Sequence, residues 1–124
     1  MAFRWLALTA AASVLSPFPA SAQTAPASGE TVFRQRCQAC HTAAAGQPNR
    51  IGPNLAGVVG RKAASAPSFN YSAALKASGL TWTRANLDRF LQGPMRMVPG
   101  TRMAVALTDN AQRGALLNYL TAQK

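Results

Sequence analysis

Acidic side chains are scarce in this sequence. Three Asp and Glu stand against thirteen Lys and Arg, a formal charge of +10 over 124 residues. Histidine occurs once and cysteine twice. With Glu30, Asp88 and Asp109 far apart along the chain, no pair of carboxylates is available by spacing for acid–base catalysis, and no catalytic base stands out. Two cysteines exclude a disulfide-built miniprotein. The length excludes a large enzyme on its own Rossmann or barrel scaffold. No alternating strand pattern, internal repeat or Lys/Arg run occurs. An apolar content of 48% excludes disorder for the bulk of the chain.

Residues 1–22 have the form of a cleaved secretory signal. Arg4 is the positive start, Trp5 to Leu15 the apolar run, and Ala20-Ser21-Ala22 the cleavage site. The run falls short of the roughly 20 residues needed to cross a bilayer. Residues 23–124 are then expected to form a single exported, periplasmic domain with no stable membrane insertion.

The spacing of apolar residues predicts an all-α domain with long loops. Ser28 caps a first helix reaching about Cys40, with Glu30 in its first turn. Residues 42–70 carry repeated Gly and Pro and read as one long loop. Ser72 caps a short helix, Ala73 to Ser78. Thr83 caps another, Arg84 to Gln92, stopped by Gly93-Pro94. Met95 to Leu107 is irregular, and Thr108 or Asp109 opens a last helix to about Ala122. A loop of this length is uncommon in a small domain unless it wraps something. A large, flat, apolar cofactor would be a suitable filler.

Cys37-Gln38-Ala39-Cys40-His41 is C-x-x-C-H, the attachment signature of c-type haem. Cysteines three apart can bond the two vinyl groups of one porphyrin, and the following His41 can reach the iron. Both cysteines and the sole histidine fall within these five residues. A zinc site would need a second ligand pair, and a thioredoxin-like dithiol a βαβ context; neither is present. Iron needs a sixth ligand, and methionine suits an electron carrier. Met95, Met97 and Met103 are all candidates by spacing.

The motif, Ile51-Gly52-Pro53-Asn54-Leu55, Gly60-Arg61-Lys62, Phe69-Asn70-Tyr71-Ser72, Gly79-Leu80-Thr81-Trp82 and Pro99-Gly100-Thr101-Arg102-Met103 together resemble the class I c-type cytochromes, from Gly29 to Leu120. The resemblance implies the cytochrome c fold, with three to five short helices around one covalent haem c. It implies His41 and Met103 as iron ligands, the Pro53 carbonyl as acceptor for His41 Nδ1–H, and Arg61, Tyr71 and Trp82 at the haem propionates. It also implies that Gly29 and Phe33 cross Leu116 and Tyr119. Two positions depart from the family. Phe90 stands where a tyrosine usually bonds toward the methionine sulfur, and Val105 stands where an aromatic is frequent. Both point to a looser Met103 side.

The implied function is a soluble monomeric carrier of single electrons, not an enzyme. Its expected partners are acidic redox proteins such as a membrane cytochrome complex, a terminal oxidase or a dehydrogenase, met through Arg96 and Arg102. Nucleic acid is not expected, since no binding motif accompanies the charge. Two alternatives stand beside this reading: a labile Met103 that opens the iron to peroxide or small ligands, and a dithiol redox protein using Cys37 and Cys40.

Overall fold

The computed structural model describes residues 14, 16, 17, 19–21, 25 and 27–124. Most of the leader expected over residues 1–22 therefore lies outside the described residues. Among them are five helices and no strand longer than a single bridge. They are α1 (Gly29–Arg36), α2 (Ala73–Ala77), α3 (Arg84–Gln92), α4 (Pro94–Met97) and α5 (Asn110–Ala122).

Side-chain caps start four of the five helices. The oxygens of Ser28, Ser72, Thr83 and Asp109 each accept a backbone N–H from the first turn. Asp109, not Thr108, opens the last helix. Two boundaries differ from expectation. α1 ends at Arg36, and the Cys37 carbonyl then accepts from both Cys40 N (3.0 Å) and His41 N (2.9 Å), a tight turn in place of a third helical turn. Pro94 does not simply stop α3: it is the first residue of α4, where its missing N–H costs nothing. Part of the stretch expected to be irregular is thus helical.

The core is the meeting of α1, α3 and α5. Val32 and Phe33, Leu87, Phe90 and Leu91, and Leu116, Leu117 and Leu120 are all buried. α1 crosses α5 at Gly29, where a Cβ would lie 2.0 Å from the Ala115 carbonyl oxygen and 2.6 Å from Tyr119 Cβ. The Phe33 and Tyr119 rings meet there, 5.5 Å between centroids. The expected crossing of Gly29 and Phe33 with the last helix is therefore the one observed.

One charged residue enters this core. Arg113, only 4% exposed, sits on the inner face of α5. Its Nε donates to Asp88 of α3 at 2.9 Å, and its other nitrogens donate to the carbonyls of Leu107 and Thr108 and to Asn110. That guanidinium holds the Asp88 carboxyl below the usual aspartate range. A carboxylate with a lowered folded pKa stabilises fully above its unfolded pKa of about 4, and the contribution is lost as pH falls through the folded value. Asp88 is partly exposed, and Arg113 keeps other acceptors. Asp88→Asn is therefore expected to cost about 1–2 kcal/mol at pH 7, less than a fully buried pair. In urea unfolding the deficit should shrink below about pH 4.

Candidate functional site

The turn after α1 presents the C-x-x-C-H motif. Cys37 and Cys40 are half-buried and not bonded to each other. Burial pushes the Cys37 thiol up to about 11, against the opposing pull of Arg36. A dithiol redox centre needs the reverse, a thiol lowered toward neutrality. The site therefore argues against the dithiol alternative.

His41 is fixed from two sides. Its Nδ1 lies 2.8 Å from the Pro53 carbonyl, a bond that makes Nδ1 the protonated nitrogen and leaves Nε2 with a free lone pair. Burial lowers the imidazole pKa, and the Pro53 bond only partly opposes it, so the ring is neutral at pH 7. Gly52 lies against the ring: a Cβ there would fall 2.3 Å from Cε1 and within 2.8 Å of both nitrogens. Gly52 N also donates to the Cys40 carbonyl at 2.8 Å, tying this loop to the motif.

The loop carrying Gly52 and Pro53 is held by side-chain amides. Asn54 Nδ2 donates to the carbonyls of Ala44 and Gln47, both at 2.8 Å. Asn49 accepts from Asn54 N and donates to the Pro67 carbonyl, each at 2.9 Å. The Arg50 guanidinium returns to the Gln38 carbonyl, inside the motif, at 2.9 Å.

Arg61 and Trp82 come together through a short antiparallel ladder. Trp82 N donates to the Arg61 carbonyl at 2.8 Å, and Ala63 N to that of Leu80, also at 2.8 Å. Two nitrogens of Arg61 donate to the carbonyls of Ala56 and Asn54, but its Nε is buried with no protein acceptor. Trp82 is buried against Phe90, 4.8 Å between ring centroids. Tyr71 is tied elsewhere. Its hydroxyl accepts from Ala66 N at 3.0 Å, and the Asn70 and Tyr71 carbonyls accept from Arg102, next to Met103. Of the three candidate methionines, Met95 is 55% exposed, whereas Met97 and Met103 are half-buried and pack on the core.

The cytochrome c family profile matches residues 26–124. Cytochrome c2 of Rhodomicrobium vannielii is 44% identical over 121 residues, spanning 95% of this chain and 94% of that one. Cytochrome c-554 of Methylosinus trichosporium is 44% identical over 99 residues, spanning 77% and 74%. This chain belongs to the cytochrome c family. Among solved structures, cytochrome cH from Methylobacterium extorquens superposes with a TM-score of 0.69 at 41% identity, covering 74% of this chain and 92% of that one. The fold is the cytochrome c fold. The family carries covalently bound haem c, and the protein is a monohaem electron carrier.

The residues present fit that group. Two thiols and a neutral imidazole with a free Nε2 stand in one turn. Gly52 leaves the imidazole room. The orphaned Arg61 Nε is a buried cationic donor in want of an acceptor, which a propionate would be. The other polar chemistry is committed to structure. Glu30 pairs with Arg34, Asp88 with Arg113, and Asp109 caps α5.

Gly52 was visible in the sequence only as part of a motif, and its contact with His41 identifies it as a positioning residue. Gly52→Ala should displace the imidazole and lower covalent haem content per folded chain by about tenfold or more, the scale of losing a ligand-orienting partner. Pyridine haemochrome assay of purified protein measures this.

Proposed function

We propose that this protein is a soluble periplasmic carrier of single electrons between redox proteins, with His41 and Met103 as the two axial ligands of its haem iron. The observation that carries the ligation is the bond from His41 Nδ1–H to the Pro53 carbonyl, which leaves Nε2 unprotonated with a lone pair for a metal. The half-burial of Met103 against the core favours it over the exposed Met95. Cys37 and Cys40 are the thioether positions.

Bound there, haem c supplies a one-electron Fe(III)/Fe(II) couple. The chain's own residues hold its surroundings constant. Pro53 and Gly52 keep His41 in one tautomer and one orientation. Arg61, with Tyr71 and Trp82, is assigned to the propionates, whose charge needs buried donors. Among the described residues the three carboxylates are all engaged, Glu30 with Arg34, Asp88 with Arg113 and Asp109 as a helix cap, which supports a carrier over an enzyme. Residues 1–22 serve as the export signal and residues 23–124 as the mature, monomeric domain.

The partners proposed are acidic redox proteins. Arg89 and Arg96 are exposed and form no ion pair among the described residues, and Lys62 and Lys76 add to the positive surface. Arg102 contributes its charge, but its guanidinium is anchored to the Asn70 carbonyl at 2.7 Å and is less free to reach a partner than its exposure suggests.

Two outcomes are expected. The ferric protein should show a low-spin spectrum with the weak far-red Met–Fe(III) band, and Met103→Ala should abolish that band while His41-dependent haem attachment persists. A high-spin ferric parent would overturn the ligation and promote the labile-methionine reading. Association with an acidic redox partner should slow by about tenfold or more between low salt and about 0.5 M, as screened steering requires. Stopped-flow rates independent of salt would contradict it.

A further inference from the structure

The segment from Val98 to Asp109 carries Met103 yet contains no helix or strand. Three consecutive carbonyls just beyond the methionine are each taken by an arginine. Ala106 O accepts from Arg36 Nη2 at 3.2 Å, across 70 positions of sequence. Leu107 O and Thr108 O accept from Arg113 Nη1 at 3.1 and 2.8 Å. Leu107 N in turn donates to the Leu91 carbonyl at 2.7 Å.

The two arginines differ in kind. Arg113 is buried, paired with Asp88 and bonded through three nitrogens. It is a fixed anchor that cannot release without exposing the core. Arg36 is exposed and makes one bond. It is also the residue immediately before Cys37, so its backbone is tied to the haem attachment point. The exposed bond therefore spans from the covalent side of the site to the segment bearing Met103.

We propose that Arg36 is a positioning residue for Met103: a releasable latch that holds the methionine segment closed, while Arg113 fixes the far end of that segment. This rests on the reading of Met103 as an axial ligand. Among the described residues no other side chain donates to the segment between Met103 and Ala106. Phe90, buried against Trp82, has no donor, and Arg102 holds only the side of the segment before Met103. Opening the latch frees the Ala106 carbonyl and the stretch back toward Met103, while Leu107 and Thr108 stay held by Arg113 and Leu91, and raises the fraction of time the sixth position is accessible to an outside ligand.

The usual role of an exposed arginine is a solvated charge, and Arg34 provides the control. It is two residues from Arg36 on the same helix, also cationic and exposed, and engaged only with Glu30. The test is imidazole titration of the ferric holoprotein, followed by loss of the far-red Met–Fe(III) band, with ferrous unfolding midpoints measured alongside. Arg36→Ala is expected to bind imidazole about fivefold more tightly, the worth of one hydrogen bond, with a ferrous unfolding midpoint matching that of Arg34→Ala. Arg36→Lys, which keeps a charge and a donor, should recover part of the difference. Arg34→Ala should stay within about twofold of the parent, as expected for a surface pair. An Arg36→Ala affinity within about twofold of the parent, or an Arg34→Ala change equal to it, would overturn the latch, since one hydrogen bond is worth more than that. Absence of the far-red band in the parent would instead overturn Met103 ligation, and the role of Arg36 with it.

Discussion

The bond from the His41 imidazole to the Pro53 carbonyl is the interaction on which the site depends. It decides which ring nitrogen carries the proton, and so which one faces a metal. It also requires a particular loop, because the acceptor is main chain and the position before it must be Gly52. A side chain at that position would occupy the space of the imidazole. The amides of Asn49 and Asn54 bind this loop to Ala44, Gln47 and Pro67. The long irregular stretch after the motif is therefore a mount for one ring, built from turns because a helix or strand would not bring a carbonyl to that place.

Arginine replaces sheet hydrogen bonding in this architecture. Arg36, Arg50, Arg84 and Arg102 donate to backbone carbonyls of segments 12 to 70 positions away, and Arg61 and Arg113 donate to carbonyls of the loops that run into them. A planar fork with several donors can satisfy carbonyls that have no ladder partner, where the compact lysine ammonium is less suited. The strong positive balance consequently has two sources. Some of it faces solvent and partners, and some fastens loops. The expectation that the basic residues meet acidic partners captures only the first. Arg113 shows the distinction most clearly, since burial with Asp88 removes it from any surface role.

What could be read in advance was what is local in sequence. C-x-x-C-H places its three functional atoms within five residues, and the caps Ser28, Ser72 and Thr83 announce helices one residue later. The apolar faces of α3 and α5 follow from spacing alone. Features that depend on chain segments meeting were not legible. Pro94 looks like a terminator and is also a sound first helical residue, so α4 was hidden. Where α1 gives way to a tight turn depends on backbone bonds shared at Cys37. The neighbourhood of Arg61 and Trp82 arises from an isolated ladder with no alternating pattern, and Arg36 reaches a carbonyl 70 positions away. One signal was available and unused: a charged residue, Arg113, on the apolar face of a helix.

The most direct test of the account is nitrogen NMR of the single histidine in the reduced, diamagnetic holoprotein, labelled at both ring nitrogens. Because the chain contains only one histidine, every imidazole signal belongs to His41. The account predicts a slowly exchanging proton on Nδ1, held by the Pro53 carbonyl, with Nε2 unprotonated and shifted by the metal. A proton on Nε2, or an Nδ1 proton exchanging freely with water, would contradict it.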